Sequence, residues 1–473
     1  MENRLHADIC VIGAGAGGLV VAAGAAMLGA KVILVERGAM GGDCLNYGCV
    51  PSKALIAAGE AAQAGREAAA LGVRFGSPAI DFAAVMSRVR ETVDAIAPMD
   101  AEARFVAMGV EVIKGNAVFR NERELDVAGR IVAARRYVVA TGSAPVVPPI
   151  AGIESVPYLT NESVFGNTEL PQHLVVIGGG PVGLELAQAH RRLGARVTVV
   201  EAASCLGRED PEIAALVVRR LRKEGVALLE RTTVASVAGG QGAVSIRIER
   251  NGAAETLLGS HLLVASGRRP QTDVGLDRAG VDYDSVGIKV DSRLRTTNRR
   301  IFAIGDVTGA PQFTHVASYH AGIALRNILF RIPARVSYRS VPRVTYTDPE
   351  LAQVGLSEAE ARRQFGRVSV ARWPVADNDR ARTQGDVDGL IKVVATLRGR
   401  ILGAQIVARH AGELIVPWIR AVARRERLSA WAGLVTPYPI YGEIGKRAAG
   451  SFFLPAMTRP GVRALVRLLG RLG

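Results

Sequence analysis

The sequence predicts an α/β protein made of two copies of one strand–turn–helix–strand unit followed by an α+β module, and three observations predict it. Residues 8 to 36, "DICVIGAGAGGLVVAAGAAMLGAKVILVE", and residues 173 to 201, "HLVVIGGGPVGLELAQAHRRLGARVTVVE", run in the same order. Each has a β-branched run, a glycine-dense turn, an Ala-rich helical stretch and a second β-run ending in Glu. The segments "ASGRRP" (265 to 270) and "TNRRIFAIGDVTG" (297 to 309) mark a return to the first domain, so the second copy reads as an insertion. After the Pro-punctuated "YRSVPRVTYTDPE", the pattern changes to paired strands, "GLIKVVATLRGRILGAQIVA", and an amphipathic helix, "AGELIVPWIRAVARR".

Residues 9 to 30 carry no charge, and by length alone they would pass as a membrane span. The glycine-dense turn splits them into a short strand and a helix, and no charged leader or cleavage site precedes them. A cytoplasmic protein is expected. At 473 residues the chain suggests about three domains of roughly 150 residues each. The formal charge of +15 is mostly arginine scattered along the chain, which argues against a nucleic-acid stripe.

A single G-x-G-x-x-G says little, but here each copy follows a strand, opens a helix and is followed about 20 residues later by an acid at a strand end. Gly13, Gly15 and Gly18, with Glu36, predict a turn whose backbone N–H groups meet a pyrophosphate and whose acid accepts from ribose hydroxyls. Gly178, Gly180, Gly183 and Glu201 repeat the arrangement. Two dinucleotides on one chain imply electron transfer between them. Cys44 and Cys49, with four residues between them, lie just after the first unit. Closing so short a loop stabilises a fold by only about 2 kcal/mol, so stability is a poor reason for the pair. No metal site is expected, because Cys10 and Cys205 do not form a second close pair. Pro51 and Ser52 mark a helix start, where the dipole favours a Cys49 thiolate.

"GGDCLNYGCVPSK", "ATGSAP", "TNRRIFAIGD" and "TDPELAQVGLSEAEA" together resemble the class I flavin disulfide reductases, over roughly residues 6 to 450. That family includes dihydrolipoamide dehydrogenase, glutathione reductase and mercuric reductase. The resemblance implies two Rossmann-like dinucleotide-binding domains, for FAD and NAD(P), and a C-terminal α+β dimerisation domain. The expected division is 1–150 and 271–340 for FAD, 151–270 for NAD(P), 341–450 for dimerisation and a basic tail at 451–473. It implies that FAD is held by Gly13, Gly15, Gly18, Glu36, Gly42, Lys53, Gly115, Ala140, Thr141, Gly142, Asp306 and Ala317. NAD(P) would be held by Gly178, Gly180, Gly183, Glu201 and Gly267. Lys53, paired with Glu185, would sit near the flavin ring, and Asp306 would hold the ribityl chain. Cys49 resembles the charge-transfer thiolate and Cys44 the interchange thiol, so the pair is a two-electron relay. NADH is the expected reductant because Glu201 repels a 2′-phosphate; Arg208, seven residues on, keeps NADPH as the alternative.

The family's dithiol reductases carry His in H-P-x-x-x-E near the C-terminus, contributed across a homodimer. Here the stretch is "YPIYGE", with Tyr438 at the His position and Glu443 at the acid position. An ordinary Tyr titrates about 3.5 pH units above His, which makes accepting a proton at neutral pH harder by about 4.8 kcal/mol. "REDP", "QFTH" and "NDRA" look like the mercuric reductase subgroup, yet the last cysteine is Cys205, so that enzyme's C-terminal cysteine pair is missing. The expected acceptor is therefore a quinone, metal ion, electrophile or disulfide. The alternatives are dihydrolipoamide dehydrogenase or mercuric reductase activity, or a redox-sensing or membrane-associated flavoprotein with little turnover. In the tail, Arg463, Arg467 and Arg471 oppose Val462, Leu465, Val466, Leu469 and Leu472, a basic amphipathic helix suited to peripheral membrane contact or subunit packing. His315 and His320 are expected to pack rather than to catalyse.

Overall fold

The computed structural model describes residues 4–471, and the chain divides into two compact units. One comprises Met1–Ala58, Asp81–Gly178 and Val234–Ser337; the other comprises Gly59–Ile80, Gly179–Thr233 and Tyr338–Gly473.

The first unit is organised by β1 (Arg4–Ile12), α1 (Ala16–Met27) and β2 (Val32–Glu36), as the glycine spacing predicts. Next come α2 (Gly42–Asn46), α3 (Cys49–Glu67), of which the residues up to Ala58 belong to this unit, α4 (Phe82–Ile96) and α5 (Glu102–Ala107). The sheet is completed by β3 (Glu111–Lys114), β4 (Ala117–Asn121), β5 (Glu124–Val127), β6 (Arg130–Val139) and β7 (Ile301–Ala303). Strand order is β3-β2-β1-β6-β5-β4, with β7 pairing β6. β3, β2, β1, β6 and β7 run parallel, and β4 and β5 form an antiparallel meander. Alternation along β1 separates two cores. Ile9 and Val11 face one that includes α1 and α6 (Thr314–Leu329), whereas Cys10 and Ile12 face another with Phe119, Leu125 and Tyr137.

The uncharged run from 9 to 30 is thus a buried strand and helix. A Cβ on Gly17 would stand 3.1 Å from Ile304 Cδ1, and one on Gly24 would stand 2.7 Å from Leu325 Cδ1, so α1 lies close against α6 and its flanking strand. No helix among the described residues is long and apolar enough to cross a membrane.

The second unit holds the helix Pro181–Arg192, the parallel strands Arg196–Glu201 and Ala227–Glu230, and a five-stranded antiparallel sheet. In that sheet the expected pair, Leu390–Thr396 and Ile401–Ala408, is central. Its core includes Trp418 stacked on Trp431 at 3.8 Å between centroids. The segment expected as one amphipathic helix breaks at Ile415 into Ala411–Leu414 and Val416–Arg424, with Pro417 in the first turn of the second, where its missing N–H costs nothing. The tail corrects another expectation. Its helix spans Pro460–Leu469 and ends at Gly470, so Arg471 falls beyond the helical face; Leu472 lies outside the described residues.

Candidate active site: two glycine turns and a cysteine loop

Gly13 must be glycine. Its φ is +107°, and an added Cβ would fall 2.4 Å from the Ala140 carbonyl oxygen. Gly15 caps α1, and a Cβ on Gly18 would strike the Gly13 carbonyl at 1.8 Å. The Glu36 carboxylate at the end of β2 accepts from Ala14 N at 2.6 Å and Gly38 N at 2.7 Å, which fixes the acid beside the turn. Gly42 (φ +61°) opens α2 against the Gly15 backbone, and Gly115 donates to the Glu36 carbonyl at 3.0 Å. Ala140 donates to Ile12 O at 2.8 Å, Thr141 Oγ1 donates to Gln271 O at 2.6 Å, and Gly142 turns at φ +71°. Ala317 lies in α6 over Gly17 and Gly305. These residues leave a backbone cradle at a helix N-terminus with an acid at its side, which fits a dinucleotide such as FAD.

Asp306 accepts from Ser143 Oγ at 2.6 Å, and burial holds its carboxyl above the usual range. Arg268, from the "SGRRP" segment, donates to Ser143 Oγ and Ser143 O, each at 2.8 Å, and pairs with Asp43 at 3.1 Å. A continuous chain of polar contacts therefore joins Asp306 to the residue before Cys44. Sequence reasoning missed Asp43 and Arg268, because only the fold brings positions 43, 143, 268 and 306 together.

None of the four cysteines is joined in a disulfide in this structure. Cys49 is the first residue of α3, and Cys44 lies in α2, whose loop is held by Asn46 Nδ2 donating to Met40 O and Gly42 O at 3.0 and 2.8 Å. The Cys49 thiol is lowered to about 6. The hydrogen bond from Cys44 contributes most; burial opposes it, and Thr314 and the Lys53 charge add to it. Thr314 Oγ1 lies 3.3 Å from Cys49 Sγ. Cys44 moves the opposite way, raised by its bond to Cys49 and by burial. One sulfur therefore carries charge and the other a proton. Thr314 stands in the quoted "QFTH", but nothing in the spacing announces its contact with a residue 265 positions away.

In the second unit Gly180 caps the helix Pro181–Arg192, within which Gly183 and Glu185 are buried; Glu185 accepts from Tyr346 N at 2.8 Å. Glu201 accepts from Gly179 N at 2.7 Å and Ala203 N at 2.8 Å, and Arg208 is exposed. Gly267, in the first unit, has φ +127°. Lys53 Nζ donates to Ser52 Oγ at 3.4 Å.

Tyr438 is 69% exposed and donates to Asp379 Oδ2 at 2.9 Å, and this contact moves the phenol upward, further from base behaviour. Glu443 begins the helix Glu443–Ser451 and accepts from Arg447 Nε at 3.0 Å. Three quoted motifs do structural work. Asp210 of "REDP" caps a helix and pairs with Lys392 at 2.7 Å, Asn378 of "NDRA" caps another, and Phe313 stacks on His315 in "QFTH". His320 is buried and accepts from Gly305 N at 3.1 Å; burial lowers it to about 4. Among the described residues no group of three His, Cys, Asp or Glu could hold a metal ion.

The family model described as "Pyridine nucleotide-disulphide oxidoreductase" matches residues 7–321, and that family's dimerisation domain matches residues 341–449. The chain is 37% identical to a mercuric reductase of Streptomyces lividans over 456 residues, covering 94% of this chain and 96% of that one. It is 34% identical to the dihydrolipoyl dehydrogenase of Geobacillus stearothermophilus over 456 residues, 95% and 96% of the two chains. Against a mercuric reductase of Bacillus cereus the identity is 36%, and the alignment covers 88% of this chain and 66% of the relative. Among solved structures, the HOCl-induced flavoprotein disulfide reductase RclA of Escherichia coli, as a Cu(II) complex, aligns with a TM-score of 0.84 at 29% identity over 93% of this chain and 98% of that one. The dimerisation domain makes a homodimer the expected assembly. The chain belongs to the pyridine nucleotide-disulphide oxidoreductases, a family that uses FAD and NAD(P)H around a redox-active disulfide.

Proposed function

We propose that this chain is a homodimeric NADH oxidoreductase whose electrons reach the Cys44–Cys49 disulfide and leave from Cys44 to an acceptor other than lipoamide. The observation that carries the reading is the asymmetry of the pair: Cys49 is held as a thiolate by Cys44, Thr314 and Lys53, whereas Cys44 keeps its proton. Bound FAD supplies two-electron exchange between the nicotinamide and the disulfide. The residues divide that work. The two glycine turns would bind the dinucleotides, Glu36 and Glu201 would orient them, Asp306 would hold the ribityl chain, and Lys53 and Glu185 would each serve the flavin ring. The five-segment division at 150, 270, 340 and 450 belongs to this reading, as does a cytoplasmic location.

Tyr438, bonded to Asp379, remains a phenol at neutral pH and cannot take the His role as a base. It serves instead as an acid, or as an aromatic against the partner subunit. The test is turnover with NADH against mercuric ion, Cu(II), a neutral quinone, a disulfide and, in reverse, dihydrolipoamide with NAD⁺. Mercuric ion and Cu(II) are included because a mercuric reductase and a Cu(II) complex of RclA are among the similar proteins. Turnover is expected with at least one acceptor, together with weak dihydrolipoamide oxidation; dihydrolipoamide rates equal to those of a His-containing homologue contradict the reading.

A peripheral membrane role rests on one observation. In Pro460–Leu469 no residue is buried, and Val462, Leu465, Val466 and Leu469 are exposed opposite Arg463 and Arg467. Each arginine near anionic lipid contributes about 1 kcal/mol, so two tails per dimer are needed for useful binding. Salt-sensitive co-sedimentation with anionic vesicles, lost on truncation after Met457, is the expected result; equal binding by both forms contradicts it.

A further inference from the structure

A cavity of about 320 Å³ opens onto Cys44 within the first unit. Leu19, Val20, Leu45, Ile96 and Phe105 are among its apolar wall residues, and Thr314, the neighbour of Cys49, also lines it. A volume of this size matches the lower range of small-molecule sites, and an apolar wall with few polar groups is their usual character. Its titratable groups are Cys44, Asp100 and Arg104. Asp100 follows α4 and precedes α5. Its Oδ2 is tucked against the cysteine loop, 3.1 Å from the place a Cβ on Gly41 would occupy. Arg104 of α5 is exposed and turns its Nη1 to the Met99 carbonyl, and its charge is felt at Asp100.

We propose that Asp100, in the wall of the cavity onto which Cys44 opens, is the proton donor to an uncharged organic acceptor that takes up protons with its electrons, a quinone or a neutral disulfide. The inference rests on the relay of Cys44 and Cys49 proposed above. The reduced pair holds one proton, on Cys44, and one negative charge, on Cys49. Reduction of the acceptor to its dihydro form needs two electrons and two protons. Both electrons come from the sulfurs as the Cys44–Cys49 S–S bond forms and the Cys44 S–H bond breaks. One proton comes from Cys44 and the second from Asp100, which regains it from water. A bare metal ion needs no such proton, and an apolar wall does nothing to attract one. The family's histidine is replaced by Tyr438, so a carboxyl in the wall supplies what that position lacks. Burial raises Asp100 above the ordinary carboxyl range, against the lowering by Arg104, which favours the protonated form.

The experiment uses the FAD-loaded full chain, wild type, Asp100→Asn and Asp100→Glu, reduced anaerobically with NADH. Each is mixed with a neutral benzoquinone, a neutral cyclic disulfide or Cu(II) across pH 5 to 9. For the wild type, re-oxidation by the organic acceptors should slow as pH rises through the titration of Asp100, because the donor is then ionised. Asp100→Asn should lose that dependence and fall about 100-fold with whichever organic acceptor is used, the two arms telling quinone from disulfide. Asp100→Glu should keep the dependence, and Cu(II) should re-oxidise all three equally. Wild-type rates and pH profile in Asp100→Asn, or re-oxidation of the wild type by Cu(II) alone, overturn the inference. Failure of NADH to reduce the cysteine pair in the wild type overturns the relay instead. If Asp100→Asn does not bind FAD, the pH profile of Asp100→Glu against wild type decides, and an identical midpoint contradicts the donor role.

Discussion

The two strand–turn–helix–strand copies have nearly the same turn and opposite cysteine chemistry. In the first, Gly13 has φ +107° and closes on Ala140 O; in the second, Gly178 has φ +115° and closes on Ala265 O, each 2.4 Å from an added Cβ. Glu36 and Glu201 hold two backbone N–H groups apiece, at 2.6 to 2.8 Å. After the acid the copies diverge. The first runs into a loop whose Cys49 begins a helix, beside a thiol donor, Thr314 and Lys53, and its thiol falls to about 6. The second places Cys205 under the turn, 2.7 Å from a Cβ on Gly179, where burial and the carboxylates of Glu230 and Glu201 push the thiol up to about 12. The turn is the same in either case; the neighbours of the sulfur decide whether it reacts.

The largest expected effect comes from removing the reactive pair. Cys44→Ser or Cys49→Ser should lower acceptor-dependent NADH oxidation by about 1,000-fold or more, while flavin reduction persists. Loss of less than about tenfold would mean the acceptor takes electrons without the pair. Cys205→Ser, on the other side of the comparison, should leave turnover within about twofold. In the NADH-reduced protein at pH 7, a brief iodoacetamide pulse read by peptide mass should label Cys49 well ahead of Cys205 and of the fully buried Cys10.

The acids that make the copies alike give the next effect. Glu201→Ala strips a partner from Gly179 N and Ala203 N and removes the repulsion of a 2′-phosphate, so kcat/KM for NADH should fall by about 10-fold and the preference should move toward NADPH. An unchanged preference would place discrimination elsewhere, with Arg208 the next residue to test.

These turns were legible in the sequence because their chemistry is local. A glycine needed at positive φ, an acid at the next strand end and a cysteine before "VPSK" all lie within about 45 residues of one another. Thr314 and Asp100 were not legible, since a threonine on α6 and an aspartate between α4 and α5 gain meaning only when the sheet brings them to the cysteine loop. Asp43 and Arg268 are the same case, joined across the first unit by a 3.1 Å ion pair. In "REDP" and "NDRA", which resemble the mercuric reductase subgroup, Asp210 and Asn378 cap helices, a role their resemblance alone did not tell. The break at Ile415 was hidden because the apolar periodicity continues through it.

The smallest effect sharpens the comparison. Thr314→Val removes a hydrogen bond to a charged sulfur and should raise the Cys49 titration by about 1 pH unit. A larger rise would mean that Thr314 also places the loop.

The thiolate proposed for Cys49 beside the flavin in the two-electron-reduced enzyme is tested most directly, and without needing the acceptor, by long-wavelength charge-transfer absorbance in Cys44→Ser. A depressed thiol is charged above its titration point and neutral below it. The band should therefore be present at pH 8 in the oxidised variant and be lost on acidification. Because the serine hydroxyl can still donate to the sulfur, its midpoint should stay near the value of about 6 that holds with Cys44 in place. A variant that binds FAD yet shows no such band at pH 8 would contradict the account.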